Sequence, residues 1–272
     1  MLLPFVKEDN VLNQNPFMRH EVLFNLIHRI ADDSGALLLR SKDNNSIIAR
    51  SNPNFPMWVW VNPNTSIEVV HSSTKEIEKI ILEEECFEII STPEVLKVFF
   101  EDYHCQHKKV MEMESYLCKE VLMPSCTPGI MKLSSVEDVD VVADFCVGFI
   151  YDGFGKTVSK ESQLKGAERM INRGNLYVLE VNNEVVSMAN IAHKSPRHAR
   201  INSVYTPPNH RKKGYASKLV ASLSNLVLFE GFTPVLYTDL TNRTSNKVYK
   251  DIGYIECGTV HHYMVTNIKK LN

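Results

Sequence analysis

Along residues 17–30 the apolar positions Phe17, Val22, Leu23, Leu26, Ile27 and Ile30 share one helical face, and Asp32 to Gly35 forms a stop signal. A helix packed on a core is expected there. Short apolar, β-branched runs at 36–39, 58–61 and 67–70 predict strands, 73–85 a helix and 87–90 another strand. Thr92 stands as an N-terminal cap with Pro93 at the first helical position, and the helix it opens is expected to run to about Gln106. Alternation over 110–117 predicts a strand that closes this half.

The segment 123–129, MPSCTPG, has linker chemistry, and the pattern begins again after it. A strand is predicted at 130–133, helices at 135–149 and 159–172, and a strand at 176–181 that turns through Asn182-Asn183 into a hairpin partner at 185–192. A strand at 201–206, a helix at 215–230, a strand at 235–238, a helix at 244–252 and closing strands through Val265 complete the series. The fold class is therefore α/β, with mixed sheets, in two domains of residues 1–124 and 125–272. Because the elements after Ile67 repeat the order seen later, the first domain reads as a degenerate copy of the second or as an unrelated α/β domain. It has no glycine before the 73–85 helix, and Glu76 and Glu78 early in that helix would repel a phosphate.

Composition narrows the partners. A net charge of −2 argues against a dedicated nucleic-acid binder, and 44% hydrophobic with 23% charged residues is a globular balance. The six cysteines form no Cys-x-x-Cys pair and fit reduced thiols in a cytoplasm. No apolar stretch approaches the length of a membrane span, and the N-terminal run is too short for a signal peptide, so a cytosolic protein is expected.

The local feature with the most chemistry is Arg211 to Ala216, RKKGYA, placed between the strand composition of 199–206 and the amphipathic run 215–229. A strand that turns into a helix through a short loop exposes the first helical N–H groups at the positive end of the helix dipole. Such a site binds phosphate. Gly214 allows close approach of a ligand oxygen, and Arg211, Lys212 and Lys213 add positive charge.

The pattern Arg211-x-x-Gly214-x-Ala216 resembles the coenzyme A pyrophosphate loop of the Gcn5-related N-acetyltransferase superfamily. The segment 236–254, LYTDLTNRTSNKVYKDIGY, is similar to the second half of that fold. The wording YTPPNHRKKGYASKLV further resembles the FR47-like branch, which includes glycine N-acyltransferase-like enzymes. The resemblance covers about the last half of the chain. It implies a C-terminal acetyltransferase fold with splayed central strands, acetyl-CoA as acyl donor, no metal, and direct transfer to a primary amine of a small molecule or amino acid. A homodimer is left open, and so is a non-catalytic protein that binds acyl-CoA.

The resemblance also assigns roles. It gives the backbone of Val204, Tyr205 and Thr206 to the pantetheine arm, and Arg211 with the amides of Lys212, Lys213, Gly214, Tyr215, Ala216 and Ser217 to the pyrophosphate. Asn242 and Asn246 are implied to bond the carrier or the helix start, and Tyr249 to lie near the sulfur and protonate the departing thiolate. A phenol, with a pKa of about 10, holds its proton at neutral pH. On spacing alone, Val204 and Thr206 read as ordinary strand residues, Asn242 as a cap and Tyr249 as a core tyrosine beside Ile252 and Tyr254.

The resemblance places a Glu of several family members at about Arg200, a cation here, so a base is sought among Glu180, His193 and Asp239, or in a water chain, or the amine arrives neutral. Arg200, with Arg197 and His198, either meets a substrate carboxylate or lies on a solvated hairpin. Three weaker constellations complete the survey: His104, Cys105 and His107 on an expected helix end, as metal ligands or surface; Cys146 as a nucleophile; and Trp58 with Trp60 as a pocket wall or a domain core.

Overall fold

The computed structural model describes residues 2–81 and 86–270, the side chains of 86, 104 and 267–270 excepted. In chain order the strands are β1 (Leu2–Pro4), β2 (Leu37–Ser41), β3 (Ser46–Arg50), β4 (Met57–Val61), β5 (Cys86–Ser91), β6 (Tyr103–Cys118), β7 (Ile130–Leu133), β8 (Leu176–Val181), β9 (Glu184–Lys194), β10 (His198–Tyr205), β11 (Thr233–Asp239) and β12 (Tyr254–Lys270). The α-helices are α1 (Leu26–Ala31), α2 (Ile67–Ile81), α3 (Pro93–Asp102), α4 (Val139–Phe154), α5 (Lys160–Asn172), α6 (Tyr215–Phe229) and α7 (Arg243–Asp251). They form two compact units: Met1–Ser115, Thr238–Asn242 and Glu256–Asn272 make the first, and Tyr116–Tyr237 with Arg243–Ile255 the second. The fold is mixed α/β, as the pattern of apolar positions implies.

In the first unit the strand order is β1-β2-β3-β4-β5-β12-β6. β2, β3 and β4 pair antiparallel, β4 pairs parallel with β5 across the α2 crossover, and the end of the chain returns as β12, with His261 opposite Ser91. Alternation divides β4: Met57, Val59 and Val61 pack with Ile77 and Ile81 of α2 and with Phe99 of α3, while Trp58 and Trp60 point to the other face. There Trp60 meets Phe17 edge-on at 5.2 Å, Trp58 meets Phe24 at 6.3 Å, and both indoles are buried. The tryptophans are the core of this unit, not a pocket wall.

Several expectations are corrected here. Residues 67–70 are the first turn of α2, because the apolar positions continue at helical spacing through Val70, Thr74, Ile77 and Ile81 onto one buried face. Glu76 and Glu78 therefore lie in mid-helix, and Glu68 is the acidic residue of the first turn. The expected end of that helix, 82–85, lies outside the described residues. The helix from Pro93 stops at Asp102, since Tyr103 and Cys105 pack onto the core as alternate residues of β6. The 17–30 helix is broken into a 3-10 turn at Phe17–His20 and α1, and β1 and β3 are additional strands. The closing strands are a single strand, β12.

In the second unit the order is β11-β10-β9-β8-β7, antiparallel except for the parallel pair β10 and β11 joined through α6. Its sheet is covered on both faces, and the alternation of β8 shows why. Leu176 and Val178 pack with Val142 and Phe145 of α4 and Ile171 of α5, whereas Tyr177 and Leu179 belong with Leu219, Leu223 and Val227 of α6. The Asn182-Asn183 turn has both residues at positive φ, 50° and 65°, as a tight hairpin requires. Ser159 caps α5, its hydroxyl accepting the Ser162 N–H at 3.3 Å, and Gly155 ends α4 at φ 63°.

Candidate active site

The site of interest begins where β10 and β11 part. Their register runs from His198 opposite Thr233 to Arg200 opposite Val235, although β10 continues to Tyr205 and β11 to Asp239. Against β9 the register of β10 slips between Asn202 and Tyr205, with Ser203 at φ 51°. The strand thus bends as it loses its parallel partner. Val204 packs against the apolar core beneath, the Tyr205 carbonyl accepts from the Ser187 hydroxyl at 2.9 Å, and Thr206 exchanges a 2.8 Å bond with the same hydroxyl.

The chain leaves β10 through Pro207 and a short 3-10 turn, Pro208–His210. His210 is buried and lies 3.1 Å from the Glu184 carboxylate. Lys212 at φ 62° and Gly214 at φ 79° then reverse the backbone into α6. Lys218 N–H donates to the Gly214 carbonyl at 2.9 Å, which opens the α-helical ladder. The N–H groups of Tyr215, Ala216 and Ser217 precede it and have no carbonyl four residues back inside the helix. Gly214 brings no capping side chain, and no acidic residue stands in the first turn. Lys212 and Lys213 are exposed and have no ion-pair partner among the described residues. This helix start therefore combines open donors, the positive dipole end and two ammonium groups, which is what an oxyanion of a phosphate requires.

Arg211 is placed differently. Its Nε donates to the Thr206 carbonyl at 2.9 Å, its Nη2 pairs with the Asp152 carboxylate on α4, and its guanidinium stands 5.7 Å above the Tyr205 ring. Thr127, in the segment before β7, lies beside Gly214. Neither Asp152 nor Thr127 is signalled by any spacing in the sequence.

Tyr249 sits on α7 with 7% of its surface exposed, its ring 6.1 Å from that of Tyr116 and 5.9 Å from that of Tyr254. Burial pushes its phenol well above the ordinary tyrosine range. On the same helix, Asn246 accepts the Tyr116 hydroxyl through Oδ1 at 2.8 Å. Asn242 is exposed and belongs to the first unit, its N–H donating to the Asp239 carbonyl at 3.0 Å.

Of the candidate bases, Glu180 is held by Lys132 across β7 and β8 at 2.5 Å, and Asp239 accepts the Thr241 N–H and hydroxyl, each at 2.7 Å. His193 Nδ1 accepts from Arg200 Nε at 3.2 Å, so the Arg200 guanidinium is bonded across the hairpin. A guanidinium is always a donor, so this bond assigns the imidazole proton to Nε2 and spends the lone pair a base would use. Cys146 packs on α4 against the apolar layer, and burial raises its thiol pKa, which suppresses the thiolate a nucleophile needs. Cys105 and His107 lie on β6, Sγ 4.0 Å from Nδ1, and the His104 side chain is outside the described residues. Among the described residues no group of three or more His, Cys, Asp or Glu could hold a metal ion, and no helix is long and apolar enough to cross a membrane.

Residues 177–264 match the family model of FR47-like protein, a span from β8 through α7 into β12. No curated protein sequence matches the chain. Among solved structures, a GNAT-family acetyltransferase from Colwellia psychrerythraea is similar at 11% identity and a TM-score of 0.59, covering 98% of this chain and 100% of its own. A GCN5-related N-acetyltransferase from Sphaerobacter thermophilus is similar at 11% and 0.59, covering 100% and 97%. A Drosophila protein aligns at 12% and 0.60 over 98% of each chain. The FR47-like match thus lies mainly on the unit that holds the parting strands and the glycine loop, and along its whole length the chain shares the fold of these GCN5-related N-acetyltransferase structures.

Proposed function

We propose that the chain is an acyltransferase that takes an acetyl group from coenzyme A and delivers it to a primary amine of a small molecule or amino acid. The observation that carries this reading is the succession in the second unit of a strand that loses its partner after Arg200, a loop reversed at Lys212 and Gly214, and a helix whose first N–H groups are open. In this reading the edge of β10 at Val204 to Thr206 pairs with the amide-bearing arm of the donor as an added strand would. The amides from Lys212 to Ser217, with the Lys212 and Lys213 ammonium groups, hold the pyrophosphate.

What the chain supplies is mostly position. Fixing a thioester beside an amine replaces a bimolecular encounter by an intramolecular one, and that term alone reaches about 7–11 kcal/mol in favourable cases. Tyr249 is the proposed acid for the departing thiolate, and its raised pKa keeps the phenol protonated at neutral and mildly alkaline pH. The acceptor amine loses its proton to water, since His193 is engaged by Arg200 and Glu180 by Lys132.

A second reading, a protein that binds acyl-CoA without turnover, is favoured by the bonded Arg200 where a carboxylate base would stand. Titration calorimetry with acetyl-CoA, followed by a thiol-release screen over amino acids, polyamines, aminoglycosides and peptides, separates the two. No heat with acetyl-CoA in the wild type, or unchanged binding in Gly214→Asp, overturns the donor site. Binding without thiol release for any amine favours the second reading.

A further inference from the structure

The Arg211 guanidinium is bonded within its own unit, to the Thr206 carbonyl and to Asp152 on α4, and it stands over the Tyr205 ring. On α4, Gly148 and Asp152 are one helical turn apart. A β-carbon on Gly148 would stand 1.9 Å from the Tyr205 hydroxyl, so the glycine is what admits the tyrosine against the helix. The Tyr205 ring in turn lies beneath Arg211, whose Nε reaches back to the Thr206 carbonyl and whose Nη2 pairs with Asp152. The arginine therefore ties the last residue before the loop to α4. The same contacts make it a weaker phosphate attractor than its neighbours, because the Asp152 carboxylate beside it offsets part of its charge and would repel an incoming anion. Lys212 and Lys213 carry no such counter-charge among the described residues.

We propose that Asp152 is a positioning residue for the donor loop: through Arg211 it fixes the chain between Thr206 and Gly214, and Arg211 braces that loop instead of contacting the carrier's phosphates. The inference rests on reading this loop as the pyrophosphate site. It differs from the family motif's implied role for the arginine, and it makes α4 part of the donor site.

The two roles of Arg211 give opposite signs in one variant. If Arg211 were a phosphate ligand, neutralising its neighbour in Asp152→Asn would leave it freer and tighten binding of coenzyme A. A brace predicts weaker binding, by about tenfold, and the same loss in Arg211→Ala, with the double variant no worse than either single one. Calorimetry with coenzyme A across this cycle is the test, and additive losses, or tighter binding in Asp152→Asn, overturn the proposal. With acetyl-CoA turnover, the brace further predicts a rise in KM that exceeds any fall in kcat.

Absence of coenzyme A binding in the wild type would instead sink the donor-site reading. The brace is then judged without ligand, by hydrogen exchange. The bonded loop amides, His210 N–H to the Pro207 carbonyl and Arg211 N–H to the Pro208 carbonyl, should exchange about tenfold faster in Asp152→Asn while α6 is unchanged, and exchange in that variant as slow as in the wild type overturns the brace.

Discussion

Thr127 Oγ1 lies 2.8 Å from the position that a β-carbon on Gly214 would occupy. With φ at 79°, Gly214 is thus required twice, for a backbone conformation that L-residues resist and for the space that Thr127 fills. Gly214→Ala should destabilise the fold by about 1–3 kcal/mol in chemical denaturation and abolish acetyl-CoA binding at micromolar concentration. Thr127→Ala in the same chain removes the contact and leaves the dihedral strain, so it should restore part of the stability. An unstrained, fully stable Gly214→Ala would show that the loop relaxes without its glycine.

Gly148 makes the corresponding demand on α4. Its absent side chain is filled by the Tyr205 hydroxyl at 1.9 Å and the ring carbon behind it at 2.4 Å from an ideal β-carbon. Gly148→Ala raises intrinsic helix propensity, yet overpacking should dominate and cost about 1–3 kcal/mol. Tyr205→Phe should recover little, because the ring carbon still clashes, whereas Tyr205→Leu should recover most of the loss in thermal denaturation.

These two glycines mark what a linear reading can and cannot find. Gly214 sits in a local strand-loop-helix pattern, and local patterns were legible through most of the second unit, from β8 to α7, because alternation and helical spacing there agree with tertiary packing. Asp152, the partner of Arg211 in the same loop, stands 59 residues before it, and nothing along the chain links them. The first unit was less legible for a related reason. The apolar run 67–70 suits a strand by composition but is drawn into α2 by the buried face it shares with Ile77 and Ile81. Tyr103 ends a helix whose apolar spacing continues, because it packs on the core from β6. Tyr249 was placed on its helix by spacing, and its burial beside Tyr116 and Tyr254 was legible only as one of two alternatives.

Burial raises the phenol pKa of Tyr103, Tyr249 and Tyr254 above the unfolded value of about 10, so the native state holds its protons longer than the unfolded chain does. Their contribution to stability is complete below pH 10 and is lost as pH rises toward the folded values. On the phenols alone, denaturation midpoints should therefore be flat from pH 7 to 9 and fall above about pH 10. Tyr249→Phe removes one of the groups and should make that alkaline fall shallower. A midpoint that declines between pH 7 and 9 would point to other titrating groups.

The thiols should separate by environment. Among the described cysteines Cys126 is exposed and Cys118 buried, and burial raises the Cys118 thiol to about 11, with Cys105 and Cys146 raised for the same reason. At pH 8 a thiol of that pKa is ionised only about one part in a thousand, so its reaction with iodoacetamide is slow even before access is considered. Peptide mapping over time should find Cys126 modified first, Cys146 more than tenfold slower, and Cys118 only after unfolding. If acyl transfer proceeds by direct attack of the amine, Cys146→Ser should keep its turnover and no acyl group should be trapped on that residue. An acylated Cys146 in mass spectra of a quenched reaction would require a covalent route.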